Sequence, residues 1–191
     1  MIFPELRTQR LHLRRPVEAD LPRIRRCFDD FEVAKMTASF IAPLDEEGAR
    51  KLLERFTKVD LEQDIIWALD DGTGFVGSLG VHGLHGIPSM GYCLGQDYWG
   101  RGYMSEAVEA VLAHVFTLPH LKKIYADTFV ENPASSTVLR KAGFIQYATT
   151  KRRCRARSEK DVPTLRFKLS RQDFIVCQTN PSRLQSADEL S

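Results

Sequence analysis

The chain has 191 residues and a formal net charge of +2, with 43% hydrophobic and 27% charged residues. This is the size and balance of one soluble globular domain, able to bury roughly 70% of its unfolded surface. It excludes a disordered chain and a strongly basic one held to nucleic acid by bulk charge.

The opening MIFPELRTQR lacks the apolar core of a signal peptide. No run approaches the ~18 apolar residues of a membrane span. Cys27, Cys93, Cys154 and Cys177 stand far apart, with no CxxC pair. A zinc finger or a redox pair is therefore not expected, and each cysteine reads as a small packing residue. The expectation is a cytoplasmic protein without a metal or a membrane partner.

Arg10–Arg15 alternates, with Leu11 and Leu13 on one face, and predicts a half-buried strand ended by Pro16. Glu18–Asp29 places Leu21, Ile24, Cys27 and Phe28 at helical spacing, with Asp20 as the expected N-cap and Pro22 in the tolerant first turn. Phe31–Pro43 is irregular and apolar. Asp45–Val59 predicts a second helix that turns Ala49, Leu52, Leu53 and Phe56 inward.

Ile65–Leu69 and Phe75–Val81 read as strands joined by the turn Asp70–Gly74. Met90–Leu94 is a further strand, reached through a loop holding His82 and His85. A strongly periodic helix follows it to Thr117. Lys123–Val130 is another strand. Asn132-Pro133 opens a helix that Gly143 closes. Phe144–Arg153 and Pro163–Leu169 complete the set, with Ser158–Asp161 near their turn. Residues 1–177 are read as one domain and 178–191 as a polar tail. The predicted class is α/β: a mixed, largely antiparallel sheet of about seven strands with about four helices and one parallel pairing.

Two glycine clusters invite a phosphate reading. Gly72-Thr73-Gly74-Phe75-Val76-Gly77 fits GxGxxG but runs into a strand, whereas a dinucleotide fingerprint must open a helix. It is a hairpin turn. Trp99-Gly100-Arg101-Gly102-Tyr103-Met104 does open a helix. Glycines there allow a sharp backbone turn. The unpaired N–H groups and the positive dipole end suit a phosphate, and Arg101 adds a cation.

His82 and His85 have HxxH spacing on a loop, where spacing sets no ligand geometry and no third ligand is evident. Lys151, Arg152, Arg153, Arg155 and Arg157 form the densest charge run. It reads either as a solvated hairpin or as an arm for an acidic partner, phosphate or RNA, and it carries no aromatic stacking platform.

The strand–turn–helix YWGRGYMSEAV, the second helix NPASSTVLRKAGF and the opening TQRLHLRRP together resemble the GNAT acetyltransferase superfamily, most closely its RimJ/RimL-type ribosomal-protein N-terminal group. The resemblance spans roughly Thr8–Phe174. It implies a splayed parallel strand pair that receives the pantetheine of acetyl-CoA. Backbone of Tyr92, Cys93 and Leu94 would hold pantetheine, and Trp99, Gly100, Arg101, Gly102, Tyr103 and Met104 would form the pyrophosphate turn. Met104 stands where the pattern usually has alanine and could crowd the cofactor. Asn132 would contact pantetheine.

Many relatives carry a tyrosine seven residues later to protonate the leaving thiolate. Here that position is Leu139, and the N-x-x-S pattern offers Ser135 instead, as either catalyst or first-turn residue. The resemblance implies acetyl transfer from acetyl-CoA directly to a primary amine, either a protein N-terminal α-amine or a small molecule. Monomer and homodimer both remain open, and nucleic acid is not an expected partner. Two readings from other classes stand beside it: a CoA-binding regulatory module without turnover, and a ribosome or RNA binder using residues 151–157. For the base, Asp127, His82, His85, Asp161 and a water relay stay open.

Overall fold

Short alternating stretches bounded by Gly, Pro and Asp become strands of one sheet in the computed structural model, which describes residues 2–157 and 161–179. The strands are β1 (Leu6–Arg7), β2 (His12–Arg14), β3 (Ile65–Asp70), β4 (Phe75–His82), β5 (Ser89–Leu94), β6 (Lys123–Phe129), β7 (Ile145–Arg153) and β8 (Asp161–Ser170). Their order across the sheet is β1-β2-β3-β4-β5-β6-β8-β7. Every pairing is antiparallel except β5 with β6.

The helices are α1 (Leu21–Phe28), α2 (Phe31–Ala34), α3 (Glu46–Thr57), α4 (Tyr103–Val115), α5 (Pro133–Lys141) and α6 (Arg171–Thr179). They cover the two faces unequally. On one face α4, α5 and α6 close a large core with Trp67, Leu79, Ile124, Phe167 and Leu169. On the other, α1 and α3 pack Ile24, Phe28, Leu53 and Phe56 against Ile66, Phe75 and Cys93 of β3, β4 and β5. Each large apolar side chain buried this way contributes about 1.5–3 kcal/mol. On that second face the helices stop at β5. The face of β6, β8 and β7 is closed only at its far end, by a small cluster of Phe129, Cys154 and Val162.

Local rules account for the elements that place the site. α4 buries Met104, Ala107, Val108, Val111, Leu112 and Val115 along one stripe. α5 begins on Asn132, whose side chain accepts from Ser135 N–H, with Pro133 in the first turn. It ends at Gly143, φ 90°, and Phe144 N–H bonds back to the Leu139 carbonyl at 3.0 Å.

The structure departs from the sequence reading at several points. There are eight strands and six helices among the described residues, because Leu6–Arg7 pairs with the strand at 12–14 and because α2 and α6 form. Phe31–Ala34 makes one helical turn, capped by Asp30, inside a stretch expected to be irregular. α6 forms because Phe174 reaches the core and stacks at 5.3 Å on Phe116, a tertiary contact that local periodicity does not reveal. It runs through Thr179, past the expected boundary at 177. The tail from 180 onward and the turn residues 158–160 lie outside the described residues.

Asp20 stands at the N-cap position of α1, as expected, but its side chain makes no cap bond there. It is buried and takes both Arg14 nitrogens, at 2.8 and 2.7 Å, and the Val17 N–H. The guanidinium of Arg14 also reaches Asp70 at 2.9 Å, joining strands β2 and β3 to the preceding turn. The demand of a half-buried cation for two carboxylates outweighs a helix cap.

Candidate active site

The parallel pair β5–β6 is registered at only two positions, Ser89↔Tyr125 and Met90↔Ala126. Beyond them each strand keeps its outer neighbour. β5 stays on β4 up to Leu94↔Gly77, and β6 stays on β8 up to Phe129↔Thr164. Residues 91–94 and 127–129 therefore face each other across a wedge.

Backbone polarity in the wedge follows from antiparallel alternation. Gly95 N–H donates to the Val76 carbonyl at 3.0 Å. Two and four residues back, Cys93 and Gly91 thus bond to β4, while Tyr92 and Leu94 turn their polar groups toward β6. On the same phase, Tyr125 N–H reaches the Pro88 carbonyl at 2.9 Å. Cys93 accordingly turns away from the wedge. Its carbonyl lies against Gly77, where an added Cβ would meet it at 2.4 Å, and its thiol is buried against the α1–α3 layer. Burial pushes the Cys93 thiol well up, and it pushes the neighbouring Cys27 thiol up to about 11. Neither is a ready nucleophile at neutral pH.

At the open end of the wedge stands the turn into α4. Trp99 Nε1 donates to the Leu94 carbonyl at 3.0 Å and braces the turn against β5. Gly100 and Gly102 have φ of 72° and 78°, which a side chain would strain. Gly102 is the N-cap residue of α4 and provides no side-chain cap. The amides of Tyr103, Met104 and Ser105 thus open the helix with no side-chain acceptor from the cap, an anion-binding arrangement. Met104 points its side chain into the core, where it is 6% exposed. It therefore does not overhang the turn.

A carboxylate that the motif reading missed fixes this turn in place. Glu106, in the first turn of α4, accepts from Thr8 Oγ1, from Arg10 N–H at 2.8 Å and from Arg10 Nε at 2.8 Å. Arg10 also donates to the Arg101 carbonyl at 2.8 Å and lies over the Tyr103 ring. Burial pushes the Glu106 carboxyl up, but these hydrogen bonds and the Arg10 charge outweigh it and hold it below the ordinary range. The signal available in the sequence was a Glu in the first turn of a glycine-capped helix. Arg101 stacks on Tyr98, and Tyr103 Oη reaches Asp71 at 3.4 Å.

Across the wedge, α5 presents Ser135. Its N–H donates to Asn132 Oδ1 at 3.0 Å, which leaves the amide nitrogen as the donor that Asn132 can offer a ligand. Ser135 Oγ lies 2.9 Å from Tyr92 Oη, which also lies 3.2 Å from the Ser135 carbonyl. Burial pushes the Tyr92 phenol up, against a smaller opposing effect of its bond to Ser135, so it is held protonated. The sequence reading used only the backbone of Tyr92, because the contact joins residues 43 apart in the chain. Leu139 is buried in the core and has no part in the wedge.

The four candidate bases separate. Asp127, at the apex of the wedge, is paired with Arg152 and, at 3.3 Å, with Arg166. Asp161 opens β8, exposed and opposite Arg153 in register. His85 stacks on His120 at 4.5 Å, in the loop before β5 and so at the far end of that strand from the turn. His82 stands apart from these. It ends β4 with its Nε2 3.0 Å from where a Gly80 Cβ would sit, and Gly80 pairs with the exposed Gly91 beside the apex. Its Nδ1 is 3.5 Å from Asp64 Oδ1, a carboxylate held in place by the Gly83 N–H at 2.8 Å.

Among the described residues no three His, Cys, Asp or Glu side chains gather as a metal site, and no helix is long and apolar enough to cross a membrane. The end of the basic run at 151–157 is docked, while Lys151, Arg152, Arg153 and Arg155 keep exposed side chains. Cys154 is buried against the Thr37 carbonyl at 3.2 Å, Arg155 N–H bonds to the Ala38 carbonyl, and Arg157 pairs with Glu131.

Comparison with known proteins agrees with this geometry. A model described as the acetyltransferase (GNAT) domain matches residues 10–145. The chain is 30% identical over 150 residues to YoaA of Bacillus subtilis, described as an uncharacterized N-acetyltransferase, covering 75% of this chain and 84% of that protein. A GNAT-family acetyltransferase structure from Bacillus anthracis superposes with a TM-score of 0.76 at 21% identity, covering 88% of this chain and 99% of that one. RimL, a ribosomal L7/L12 α-N-protein acetyltransferase crystallised with CoA, superposes at 0.72 with 16% identity, covering 87% and 98%.

Proposed function

The chain belongs to the GNAT family of N-acetyltransferases, and we propose that it moves the acetyl group of acetyl-CoA directly to a primary amine. The observation that carries this reading is the wedge between β5 and β6, with the open glycine turn of α4 at its mouth. These features fit a long thioester with a pyrophosphate at one end. The amides of Tyr103, Met104 and Ser105 would take the phosphates. Backbone of Tyr92 and Leu94 and the Asn132 amide would take pantetheine. Acetyl-CoA supplies an activated acyl group.

Direct transfer is favoured because Cys93 is the one cysteine on β5 and its thiol faces the core. An acyl-cysteine relay has no nucleophile there.

The chain's own groups supply the proton traffic. Ser135 Oγ–H is the proposed donor to the departing thiolate, and Tyr92 Oη, 2.9 Å behind it, orients the hydroxyl and can replace its proton. His82 is the proposed acceptor of the amine proton. It stands on the open face beside Gly91, with Asp64 behind its Nδ1. The acceptor is a protein N-terminal α-amine or a small-molecule amine. An α-amine, with a pKa near 8, needs less help than a lysine near 10.4. A regulatory module without turnover would bind acetyl-CoA and release no thiol. The RNA-binding reading is less favoured, since the end of the run is docked at 154–157 and Arg152 and Arg157 are already paired with Asp127 and Glu131.

The test is thiol release from acetyl-CoA against a panel of free-N-terminus peptides and small amines. Turnover is expected. Ser135→Ala should lower kcat by about 100-fold at unchanged KM for acetyl-CoA, and Tyr92→Phe by less. His82→Gln should lower kcat/KM for the amine by about 100-fold at unchanged acetyl-CoA affinity. Tight acetyl-CoA binding with no thiol release from any amine would overturn the reading.

A further inference from the structure

The wedge can be entered by an acceptor from only one face. On the α4–α5 side, Tyr92 meets Ser135, and Met90 and Ala126 are buried in the core. On the opposite side Gly91 is exposed, with nothing within 4 Å of where its Cβ would be. The register places Gly91 next to Asp127 at the point where the strands part. The α1–α3 layer ends at β5, so the surface leading to this opening is the uncovered face of β6, β8 and β7.

That face is built from cations and phenols. Tyr125 and Asp127 of β6 stand opposite Lys168 and Arg166 of β8. Tyr147 meets Tyr125 at 5.9 Å, edge to face, and carries Arg166 at 5.5 Å and Lys168 at 5.4 Å on its ring. Arg152 reaches across from β7 to Asp127. Arg152 and Arg166 thus share one carboxylate, and Lys168 adds a third cation over the Tyr147 ring. Asp127 engages Arg166 only through Nε, at 3.3 Å, and the two arginine side chains remain 49% and 38% exposed. On the facing layer, Glu32 and Lys35 neutralise each other. The Tyr147 ring beneath the Arg166 guanidinium holds it flat and limits the entropy lost when it binds.

We propose that this face selects amines flanked by carboxylates, with Arg152 and Arg166 receiving the anionic group while the amine reaches the wedge over Gly91. The inference rests on the reading of the chain as an acetyl-CoA-dependent N-acetyltransferase. A polycationic amine meets like charge on this route and is excluded. Two sources share the favoured chemistry: a protein N-terminus followed by acidic residues, and a free acidic amino acid.

The test measures kcat/KM for four acceptors: a peptide with aspartates at its second and third positions, the same peptide with lysines there, free glutamate, and 1,5-diaminopentane. The acidic acceptors should exceed the basic ones by at least about tenfold, a difference of ~1.4 kcal/mol. The ranking of acidic peptide against free glutamate tells the two sources apart. The preference should shrink with rising salt in the wild-type protein. It should approach unity in Arg152→Gln/Arg166→Gln, whose fold is checked by its acetyl-CoA-dependent thermal shift.

Equal or inverted preference overturns the proposal, as does a preference that survives both high salt and the double variant. Binding of the acidic peptide, followed by anisotropy with CoA present, separates the two readings. Arginine-dependent binding without any thiol release would sink the catalytic reading and leave this one standing. Turnover without acidic preference would do the reverse.

Discussion

Two turns in this chain use the same backbone device to opposite ends. The turn between β3 and β4 holds Gly72 and Gly74 at φ of 89° and 119°, and the turn before α4 holds Gly100 and Gly102 at 72° and 78°. They are neighbours, joined by Tyr103 Oη and Asp71. The first is already filled by its own anions. Asp70 Oδ1 accepts from Gly72 N–H at 2.9 Å and Gly74 N–H at 3.1 Å, and Asp71 accepts from Thr73 N–H. The second has no carboxylate aimed into it. The acidic residue in the first turn of its helix, Glu106, is taken up by Thr8 and Arg10. A pair of positive-φ glycines makes a concave set of N–H groups in both places. Whether the set binds a ligand depends on whether the chain has filled it.

The largest effect expected from breaking this contrast is at Gly102. Gly102→Asp would both strain φ and place a carboxylate in the open turn, weakening acetyl-CoA binding by about 100-fold in calorimetry. Unchanged binding would mean that the phosphates lie elsewhere. Met104→Ala should destabilise the protein by about 2–4 kcal/mol in denaturant unfolding, through a cavity beneath α4. Acetyl-CoA affinity of the folded variant should be preserved, because the Met104 side chain packs in the core rather than over the turn.

Glu106→Gln should cost about 1–2 kcal/mol and loosen cofactor binding several-fold, since charge-assisted bonds to Thr8 and Arg10 are lost. The sign of its pH dependence follows from the depressed carboxyl. Its stabilisation is complete above the ordinary glutamate value of about 4.3 and is lost as pH falls through the lower folded value. A thermal-melt series should show the wild type and Glu106→Gln converging in acid. The smallest effect is expected at Gly72, where an added Cβ meets nothing within 4 Å. Gly72→Ala should cost only the backbone strain, about 1–2 kcal/mol, and leave acetyl-CoA affinity untouched.

The same contrast explains how far the sequence could be read. That GxGxxG at 72–77 leads into a strand and that the glycines at 100–102 lead into a helix is local information, carried by periodicity. Asn132 as a cap and Gly143 as a terminator were legible for the same reason. α6 was not, because Phe174 earns its helix by packing on Phe116. Nor was the role of Asp20, whose side chain a half-buried Arg14 draws away from capping.

Local rules over a few residues therefore settled most of the elements and the open turn, and the helices between the late strands implied a parallel pairing. Each of these depends on neighbours within a turn or two of the backbone. Other features needed distant segments brought together: Tyr92 behind Ser135, His82 over Gly80 beside Gly91, the turn of Cys93 into the α1–α3 core, and the gathering of Arg152 and Arg166 on Asp127. They are set by sheet register, which fixes which side chains share a face and which backbone groups face the wedge. Register is a property of paired strands, so no single stretch of the chain could reveal the chemistry that it places at the opening.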